Sequence, residues 1–400
     1  MKNRFDIAVI GGGASGLCAA IQAKRNNKNL SVVIFEHLNR VGKKILATGN
    51  GRCNLTNLDA ENHNYHNKDF CDKIFKKFGV DYTLKFFKSI GLYTTSDSEN
   101  RVYPRSNTAT SVLDCLRFEA ENVGVEIICD THIESVKKSN KTFLINNTYF
   151  ADKIILATGG KASPSQGSDG SGYPILKSLG INVIAPKPSL TALKTETNIP
   201  KQLKGIRAQV RLSVLKNNKG IFSTFGEILF ADYGVSGIAA MEAGSYINDE
   251  KSYILSIDFL PEFSPEKLTK IISKSSAVTT ENCLIGLLPK KLGQIICKKT
   301  DSDCLNKKPC TLSEKTLRNL IKNIKDFQLK IVGTRGFENA QVTRGGADVS
   351  EFKNTLESKS VPGLYCVGEL LDIDGGCGGF NLQWAWSSGL AAGYFASEGK

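Results

Sequence analysis

The chain has 400 residues, of which 41% are hydrophobic and 23% charged, values that are ordinary for a folded globular protein. This composition excludes wholesale disorder, and no apolar run reaches the ~18 residues that a transmembrane helix requires. The net charge of +13 comes from 40 Lys and 12 Arg against 39 acidic residues. Lys lacks the planar fork with which Arg reads phosphates and bases, so we interpret the charge as a solvated surface and expect no nucleic-acid partner.

The sequence also argues against export and against a metal centre. Asp6 interrupts a short apolar run that ends in glycines, so the N-terminus does not resemble a secretory signal. The 11 cysteines are scattered without a C-x-x-C pair, and the chain has 4 His, a pattern that indicates reduced thiols and no zinc site. We therefore expect a cytoplasmic protein that binds no metal.

The first forty residues are typical of a βαβ unit. A strand over residues 5–10 is followed by GGGASG, a helix over 14–26 and a second strand over 31–35, which ends at Glu36. This order of strand, tight turn, helix and strand predicts two parallel neighbours in one sheet.

Helical and β patterns follow in alternation. Apolar residues at helical spacing predict helical segments over 69–90, with Phe70, Ile74 and Phe78 on one face, and over 108–122. A β-rich stretch over 125–156 contains Asn146-Asn147 as a hairpin turn.

An inserted region begins near residue 187. Short β patterns over 187–260, with Asn217-Asn218 as a turn, predict a small antiparallel sheet or barrel. Residues 262–326 have helical spacing and begin with Ser264, an N-cap followed by proline. We therefore predict an α/β protein whose Rossmann-like, three-layer nucleotide-binding domain is split by an insertion. The predicted boundaries are 1–187 with 335–400 for the nucleotide-binding domain, 188–261 with 327–334 for a β-rich, barrel-like substrate or cap domain, and 262–326 for a small helical subdomain.

The βαβ unit carries a dinucleotide fingerprint, Gly11-x-Gly13-x-x-Gly16, with Glu36 at the end of its second strand. Gly11 permits the tight turn, Gly13 lets the backbone approach a pyrophosphate, and Gly16 lets helix and strand pack closely. The helix N-terminus presents N–H groups to the anion, and Glu36 accepts a hydrogen bond from a ribose 2′-OH. Because the strand–turn–helix context is complete, the motif indicates a bound dinucleotide.

A second glycine-rich loop, VGKKILATGNGRCNLT over 41–56, follows. A nicotinamide dehydrogenase would continue as a regular doubly wound sheet, whereas this loop carries Lys43, Lys44 and Arg52 among small polar residues. Such residues are suited to line a ring system and its phosphates. The alternative is an ordinary basic surface loop.

Ordered motifs over nearly the whole chain resemble one family, the two-domain FAD flavoproteins related to BaiN-like and YhiN-like proteins and to aminoacetone oxidase. That family lies in the glutathione-reductase-like superfamily, on the branch nearer fumarate reductase. The motifs are GGGASG (11–16), GKKILATGNGRCNLTN (42–57), RVYPRSNTATSVLD (101–114), ILATGG (155–160), GSDGSGY (167–173), GEILFADYGVSG (226–237) and the block 336–393 with GLYCVGELLDIDGGCGGFNLQWAWSSG.

The resemblance implies an extended FAD that is contacted by residues distant in sequence. The adenosine end would meet the first glycine motif, Glu36 and the backbone near Ile133, and the second loop would approach the pyrophosphate, ribityl chain or flavin. A helix that opens at Asn381 would direct its positive N-terminus at the flavin N1–C2=O edge and stabilise the anionic reduced flavin. The implied cofactor residues are Gly11, Gly13, Ala14, Ser15, Gly16, Glu36, Gly42, Lys43, Lys44, Thr48, Gly49, Gly51, Arg52, Cys53, Asn54, Ile133, Ala157, Thr158, Gly159, Gly368, Glu369, Asp372, Asn381, Leu382 and Gln383.

Two departures from the family pattern bear on the chemistry. Phe380 stands where many relatives have Tyr, so a hydroxyl near the flavin is missing. The chain has no second Gly-x-Gly-x-x-Gly with a trailing acid and no C-x4-C motif. NAD(P)H is therefore expected as a transient electron donor without a dedicated site.

The sequence offers candidates for substrate binding and proton transfer but assigns no catalytic residue. Arginines could grip a substrate carboxylate or hold loops, tyrosines could donate a proton or be structural, and thiols in the cofactor loops could react or pack. Histidines are assigned no catalysis, because they match no motif and all except His37 are expected to lie away from the glycine loops. The candidates are Arg52, Arg105 and Arg344, then Tyr103, Tyr173 and Tyr233, and finally Cys53 and Cys377.

These observations predict an FAD-dependent oxidoreductase that transfers hydride between flavin N5 and a small organic substrate. We favour an NAD(P)H-linked reductase of an activated C=C bond, with an aminoacetone-type amine oxidase as the alternative in the same class. The charge of +13 leaves a flavin-bearing RNA-binding or RNA-modifying protein open. A redox-sensing binding protein without turnover is the third alternative, and the oligomeric state is left open.

Overall fold

The computed structural model describes residues 3–196, 198–247 and 253–398. It forms two compact units: unit 1 comprises Met1–Pro188 and Gln341–Lys400, and unit 2 comprises Ser189–Ala340. The predicted α/β fold with an inserted β-rich lobe is confirmed. A separate helical subdomain over 262–326 stays a prediction.

The described residues form the following strands and α-helices, numbered in chain order. The strands are β1 (Arg4–Ile10), β2 (Val32–Phe35), β3 (Thr56–Asn57), β4 (Thr94–Ser96), β5 (Arg101–Pro104), β6 (Glu126–Ile128), β7 (Val136–Ser139), β8 (Thr142–Ile145), β9 (Tyr149–Leu156), β10 (Val183–Ser189), β11 (Leu193–Thr195), β12 (Arg207–Lys216), β13 (Lys219–Ala231), β14 (Gly234–Ser236), β15 (Tyr253–Asp258), β16 (Phe327–Thr334), β17 (Val342–Ala347) and β18 (Leu364–Cys366). The α-helices are α1 (Ala14–Asn26), α2 (Lys43–Ala47), α3 (Lys68–Phe78), α4 (Val80–Ser89), α5 (Ala109–Asn122), α6 (Gly172–Ser178), α7 (Ile199–Gln202), α8 (Ile238–Gly244), α9 (Pro265–Ser273), α10 (Thr280–Ile285), α11 (Lys290–Thr300), α12 (Glu314–Lys325) and α13 (Phe380–Ser397).

Unit 1 is built on a seven-stranded sheet in the order β6-β2-β1-β9-β8-β7, with β18 also paired to β9. β1 lies between β2 and β9 and is parallel to both, and β18 is parallel to β9. Residues Ile7 to Ile10 of β1 are all buried, as expected for a parallel strand that is covered on both faces. The carboxyl ends of these parallel strands meet at one edge, which is where doubly wound sheets bind their ligands.

Helices α1 and α13 pack together through glycines. An added Cβ at Gly389 would lie 2.3 Å from the Ser15 carbonyl oxygen, and one at Gly393 would lie 2.2 Å from the Ala19 carbonyl oxygen. Residues four positions apart share one face of a helix. This close approach fixes α13 against α1.

The helical pattern predicted over 69–90 corresponds to two helices, α3 and α4, which are separated by Gly79. Gly79 has an extended backbone (φ −80°, ψ −161°), and an added Cβ there would lie 2.7 Å from the Phe75 carbonyl oxygen. The apolar face predicted for the first part is correct, since Phe70, Ile74 and Phe78 are buried. Helical spacing continues on both sides of the glycine, which is why periodicity alone missed the break.

Two Asn-Asn pairs form the turns that the sequence predicts. Asn146 and Asn147 have φ of 47° and 53°, and Asn217 and Asn218 have φ of 51° and 61°. Positive φ at both central residues is the signature of a type I′ turn, whose twist matches that of an antiparallel hairpin. Asparagine tolerates this left-handed conformation better than most residues.

Unit 2 contains a closed antiparallel barrel in the order β11-β14-β13-β12-β15-β16. The predicted β-rich insertion is therefore a barrel. Helix α9 begins after Ser264, whose Oγ accepts the N–H of Lys267 as an N-cap, with proline in the first turn as predicted. The barrel strands and the helices α9 to α12 share one hydrophobic core.

Among residues 3–196, 198–247 and 253–398, no helix is long and apolar enough to cross a membrane. In the same ranges, no group of three His, Cys, Asp or Glu residues could hold a metal ion.

Candidate functional site

The turn between β1 and α1 is too tight for side chains at two of its glycines. Gly11 has φ +103°, and an added Cβ would lie 2.5 Å from the Ala157 carbonyl oxygen. At Gly16, an added Cβ would lie 2.0 Å from the carbonyl oxygen of Gly11. These glycines therefore have the structural roles of the dinucleotide fingerprint, a sharp turn and close packing of helix on strand.

Gly13 differs, because a side chain at this position would face open space. No heavy atom lies within 4 Å of an added Cβ, and its φ of −79° is open to any residue. Gly13 is also the N-cap of α1, where no side chain caps the helix. The N–H groups of Ala14 and Ser15 at this helix end, beside open space, suit a pyrophosphate.

Replacing Gly13 with alanine should therefore separate cofactor binding from folding. We expect G13A to unfold at the wild-type temperature and to bind FAD about tenfold more weakly, a loss of ~1.4 kcal/mol, because the methyl group occupies the space left for the pyrophosphate. Flavin fluorescence titration and thermal unfolding of the apoprotein measure the two effects. G286A is the matched control, since Gly286 also faces open space at an ordinary φ of −75°. Equal FAD affinities of the two variants would contradict the assignment.

Glu36 ends β2 with a buried carboxylate. Its Oε2 accepts the N–H of Gly12 at 2.9 Å, and its Oε1 accepts the N–H of Leu38 at 2.9 Å. His37 Nδ1 lies 3.3 Å from Oε1. Oε1 thus has two neighbours, whereas Oε2 accepts from Gly12 alone and has a second lone pair with which it can accept a ribose hydroxyl. Ile133, predicted at the same end of the cofactor, is buried.

The second glycine-rich loop has an unusual backbone. Gly49, Asn50, Gly51 and Cys53 have φ of 56°, 55°, 82° and 57°. Left-handed non-glycine residues are costly and cluster at ligand sites, where surrounding structure holds them. The next side chain, Asn54, has a buried Oδ1 with no hydrogen-bond partner among the described residues. A ligand hydroxyl or N–H would satisfy this acceptor.

The two thiols of the predicted cofactor loops differ in environment. Cys53 is fully buried, and burial raises the pKa of its thiol to about 11, so it stays protonated at neutral pH. This favours packing over reactivity. Cys377 is partly exposed, and its Sγ lies 3.8 Å from Gln341 Oε1.

The lysines of the second loop are held within the protein. Lys44 Nζ lies 2.9 Å from Glu369 Oε2 and donates to the Ala162 carbonyl at 3.1 Å. Lys43 Nζ donates to the Ser165 carbonyl at 3.0 Å. The sequence predicts Lys44 and Glu369 as separate cofactor contacts, whereas the structure joins them as an ion pair. A phosphate contact through Lys44 would therefore have to share that lysine with Glu369.

Buried hydroxyls border the chain where it leaves β9. An added Cβ at Gly159 would lie 3.0 Å from Ser168 Oγ. This hydroxyl and the Tyr173 phenol are buried and have no hydrogen-bond partner among the described residues. Burial, followed by the charges of Glu369 and Asp372, raises the pKa of Tyr173. Tyr173 is therefore a poor proton donor but an available hydrogen-bonding group.

Helix α13 begins at Phe380 after a glycine N-cap that carries no side-chain cap. The Asn381 side chain binds the preceding loop instead of pointing away from it. Its Oδ1 accepts the N–H of Gly375 at 2.9 Å, and its Nδ2 donates to the carbonyls of Gly375 and Gly376 at 3.0 and 3.1 Å. Asn381 therefore shapes the loop, and the helix N–H groups are left to face a ligand.

Gln383 is fully buried, and its amide is satisfied inside the protein. It accepts from Thr56 Oγ1 at 2.5 Å and donates to Thr83 Oγ1 at 2.8 Å and Ser387 Oγ at 2.7 Å. This network occupies the whole side chain. The backbone N–H of Gln383 is also engaged, since it donates to the Gly379 carbonyl at 3.0 Å. The structure therefore leaves no hydrogen-bond donor of Gln383 free for the predicted contact with the cofactor.

Sequence reasoning missed two histidines. The expectation that His63 lies away from the glycine loops is wrong, because its Nε2 accepts the N–H of Gly376 at 2.8 Å and its ring stacks on Phe380. His66 Nε2 lies 3.2 Å from Asp372 Oδ2. The partners are 313 and 306 residues away, and no motif in the segment signals these contacts.

Two of the catalytic candidates lie together. The guanidinium of Arg52 is 4.7 Å from the ring centroid of Tyr103. Tyr103 belongs to β5, which pairs with β3 directly after the second glycine-rich loop. The pair therefore borders that loop. Arg105, two residues further on, has an exposed side chain, and its backbone N–H donates to the Tyr93 carbonyl.

The other candidates lie elsewhere. Arg344 forms a bidentate ion pair with Asp374, with Nε–Oδ1 of 2.9 Å and Nη2–Oδ2 of 3.0 Å. Arg344 therefore holds a loop, one of the two roles considered for it. Tyr233 belongs to unit 2, where the Arg335 guanidinium lies 4.3 Å from its ring centroid.

The residues of unit 1 fit an FAD. Open space at Gly13 and uncapped helix ends suit the pyrophosphate, and the Glu36 carboxylate suits a ribose. The buried and unsatisfied atoms of Asn54, Ser168 and Tyr173 are hydrogen-bonding groups for the remaining polar atoms of the cofactor.

The chain is similar to known proteins over nearly its whole length. Residues 5–395 match the family model described as the HI0933-like protein Rossmann domain. The chain is 39% identical over 406 residues to the 3-dehydro-bile acid delta(4,6)-reductase of Clostridium scindens, covering 98% of this chain and 99% of that protein. It is 29% identical over 397 residues to the ribosomal RNA dihydrouridine synthase of Escherichia coli, covering 97% of each. A mutant FrdA chain of E. coli quinol fumarate reductase has a similar fold, with a TM-score of 0.52 and 15% identity over 100% of this chain and 71% of that chain.

Proposed function

The chain belongs to the HI0933-like Rossmann family of FAD-dependent oxidoreductases, and on this premise we propose that it reduces a C=C bond conjugated with a carbonyl group. The β carbon of the substrate gains a hydride and the α carbon gains a proton, so the double bond becomes a single bond. NADH or NADPH supplies the two electrons and is oxidised to NAD(P)⁺. FAD, when bound, supplies the hydride-carrying ring between the two substrates.

One observation carries the proposal: relatives named for different substrates share one kind of bond change. The name of the C. scindens protein denotes reduction of double bonds in a 3-oxo bile acid, and the name of the E. coli protein denotes saturation of the uracil ring. In both substrates the reduced bond is conjugated with a carbonyl, which makes its β carbon a hydride acceptor. The higher identity is to the bile-acid enzyme, so a small, steroid-like enone in the cytoplasm is the first candidate substrate.

Proton transfer in this reaction is assigned to Tyr103. Its phenol borders the second glycine-rich loop, and the Arg52 guanidinium lies 4.7 Å from its ring centroid. Tyr173 is a weaker candidate, because burial raises its pKa. The N–H groups at the start of α13 favour negative charge beside them.

A uracil in RNA is the second candidate substrate, and a groove in unit 1 favours it. The groove has a volume of about 720 Å³, and its lining includes Lys68, Lys73, Lys353 and Lys359. Lys68 pairs with Asp72 and Lys353 with Glu357, so a phosphodiester backbone would compete with these carboxylates for two of the four lysines. Its affinity would fall steeply as salt is added.

Anaerobic titration of the FAD-loaded protein with NADH and NADPH tests the proposal. We expect the visible flavin bands to bleach and to return when a 3-oxo-4,6-diene steroid is added, with a product two hydrogens heavier. Return with uracil-containing RNA but not with the steroid, at a rate that falls with salt, would select the second candidate. Bands that bleach only with an amine and return only with oxygen would overturn the reductase in favour of an amine oxidase.

A further inference from the structure

The loop that precedes α13, residues 374–379, is held by aromatic side chains from the segment before α3. His63 Nε2 accepts the N–H of Gly376 at 2.8 Å. The His63 ring stacks on Phe380 with a centroid distance of 3.7 Å and an angle of 10°. Tyr65 donates from its hydroxyl to the Phe380 carbonyl at 3.0 Å. The first residue of α13 is thus contacted at both its ring and its backbone.

Tyr65 completes a block of three rings. It lies edge-on to His63, with centroids 5.2 Å apart, and edge-on to Phe380, with centroids 6.4 Å apart. Tyr65 is buried, and an added Cβ at Gly375 would lie 2.9 Å from its ring. The block therefore leaves the loop no room to move towards Tyr65.

The hydrogen bond from Gly376 requires a neutral His63. Burial lowers the pKa of His63 to about 4; the charge of Lys68 adds to this effect, and that of Asp374 opposes it. At neutral pH the ring is therefore uncharged, so that Nε2 accepts and Nδ1 carries the hydrogen. Glycines make the rest of the loop dependent on such contacts, since Gly378 and Gly379 have φ of 124° and 101°.

We propose that His63 is a positioning residue: by stacking on Phe380 and accepting from Gly376, it holds the loop so that the first N–H groups of α13 keep one direction. The inference rests on the proposed function, because those N–H groups matter through the negative charge of a reduced flavin. The ring orients Phe380, and the acceptor fixes the glycine loop. Loss of either contact lets the helix start adopt more than one arrangement.

Three substitutions separate the two contacts. H63Q retains an acceptor near the position of Nε2 but loses the ring, H63F retains the ring but loses the acceptor, and H63A loses both. Hydrogen exchange of the amides of residues 374–382 in the apoprotein should rise most in H63A, and by less in H63F and H63Q, because each of these two variants loses only one of the two contacts. The dissociation constant of FAD should rise at least fivefold in H63A and less in the other two variants. The midpoint potential of the bound flavin should become more negative in all three variants, and the shift should be largest in H63A.

Tyr246→Ala is the matched control, because Tyr246 forms a similar stack with Phe222 in unit 2, with centroids 4.3 Å apart. It should leave all three measurements unchanged. Folded H63F and H63A proteins with wild-type exchange, FAD affinity and potential would overturn the inference. A wild-type protein that binds FAD but reduces no enone or uracil would overturn the proposed function instead, while the exchange measurement would still decide whether His63 holds the loop.

Discussion

Replacing Tyr103 with phenylalanine should slow reduction of the substrate by about 10²–10⁴-fold, the usual contribution of a positioned proton donor. Reduction of the flavin by NADH should stay at the wild-type rate, because that half-reaction needs no proton on the substrate carbon. Phenylalanine keeps the ring that faces the Arg52 guanidinium and removes only the hydroxyl. Anaerobic stopped-flow spectroscopy of the two half-reactions, followed separately at the flavin bands, measures both rates.

Tyr93→Phe is the matched control for this substitution. Tyr93 lies beside the same strand, where its carbonyl accepts the N–H of Arg105, but its side chain is 64% exposed. It should leave both half-reactions unchanged. Wild-type reoxidation of Y103F by the substrate would remove Tyr103 as the proton donor. Equal slowing of both half-reactions would indicate a structural effect and would also contradict the assignment.

Replacing Arg344 with alanine should lower the free energy of unfolding by about 2–3 kcal/mol, less than the ~3–5 kcal/mol found for a fully buried ion pair, because the Arg344 side chain is 32% exposed. The Asp374 side chain is only 2% exposed, and both of its oxygens receive a hydrogen bond from the guanidinium. R344A removes the guanidinium charge that faces this buried carboxylate. Urea unfolding of the apoprotein measures the loss. The same change should loosen the loop before α13, because Asp374 begins it.

A second substitution tests whether the buried charge causes this loss. In R344A/D374N the carboxylate is replaced by a neutral amide, so the double variant should be more stable than R344A alone. R318A is the control, since the Arg318–Glu314 pair has side chains that are 77% and 93% exposed and such pairs contribute about 0–1 kcal/mol. R344A and R318A proteins of equal stability would refute the prediction.

Features whose partners lie close in sequence could be predicted from the residues alone. The unit β1–α1–β2 depends on contacts within about thirty residues. Its glycines indicate both the sharp turn after β1 and the close packing of α1 on that strand. The same holds for the Asn146-Asn147 turn and for the Ser264 cap, where one or two residues decide the backbone conformation. Resemblance of the ordered motifs to a known family added the FAD.

The hydrogen-bond and ion-pair partners of the site residues could not be predicted in this way, because only the tertiary fold brings these partners together. Lys44 meets Glu369 across 325 residues, and His63 meets Gly376 across 313. A sequence pattern shows that a lysine or a histidine is present, but not whether another side chain already neutralises it or binds it.

The sequence by itself thus determined the strand–glycine–helix motif, the barrel insertion and the membership of a flavoprotein family. Tertiary structure alone decided that Arg344 holds a buried aspartate, that the amide of Gln383 is satisfied internally and that Tyr103 borders the second glycine-rich loop beside Arg52. The physical reason for this division is that hydrophobic periodicity shows which face of a helix or strand is buried, but not which element packs against that face. The pairing of polar groups depends on which elements pack together, and that is settled by the order of strands and the docking of helices.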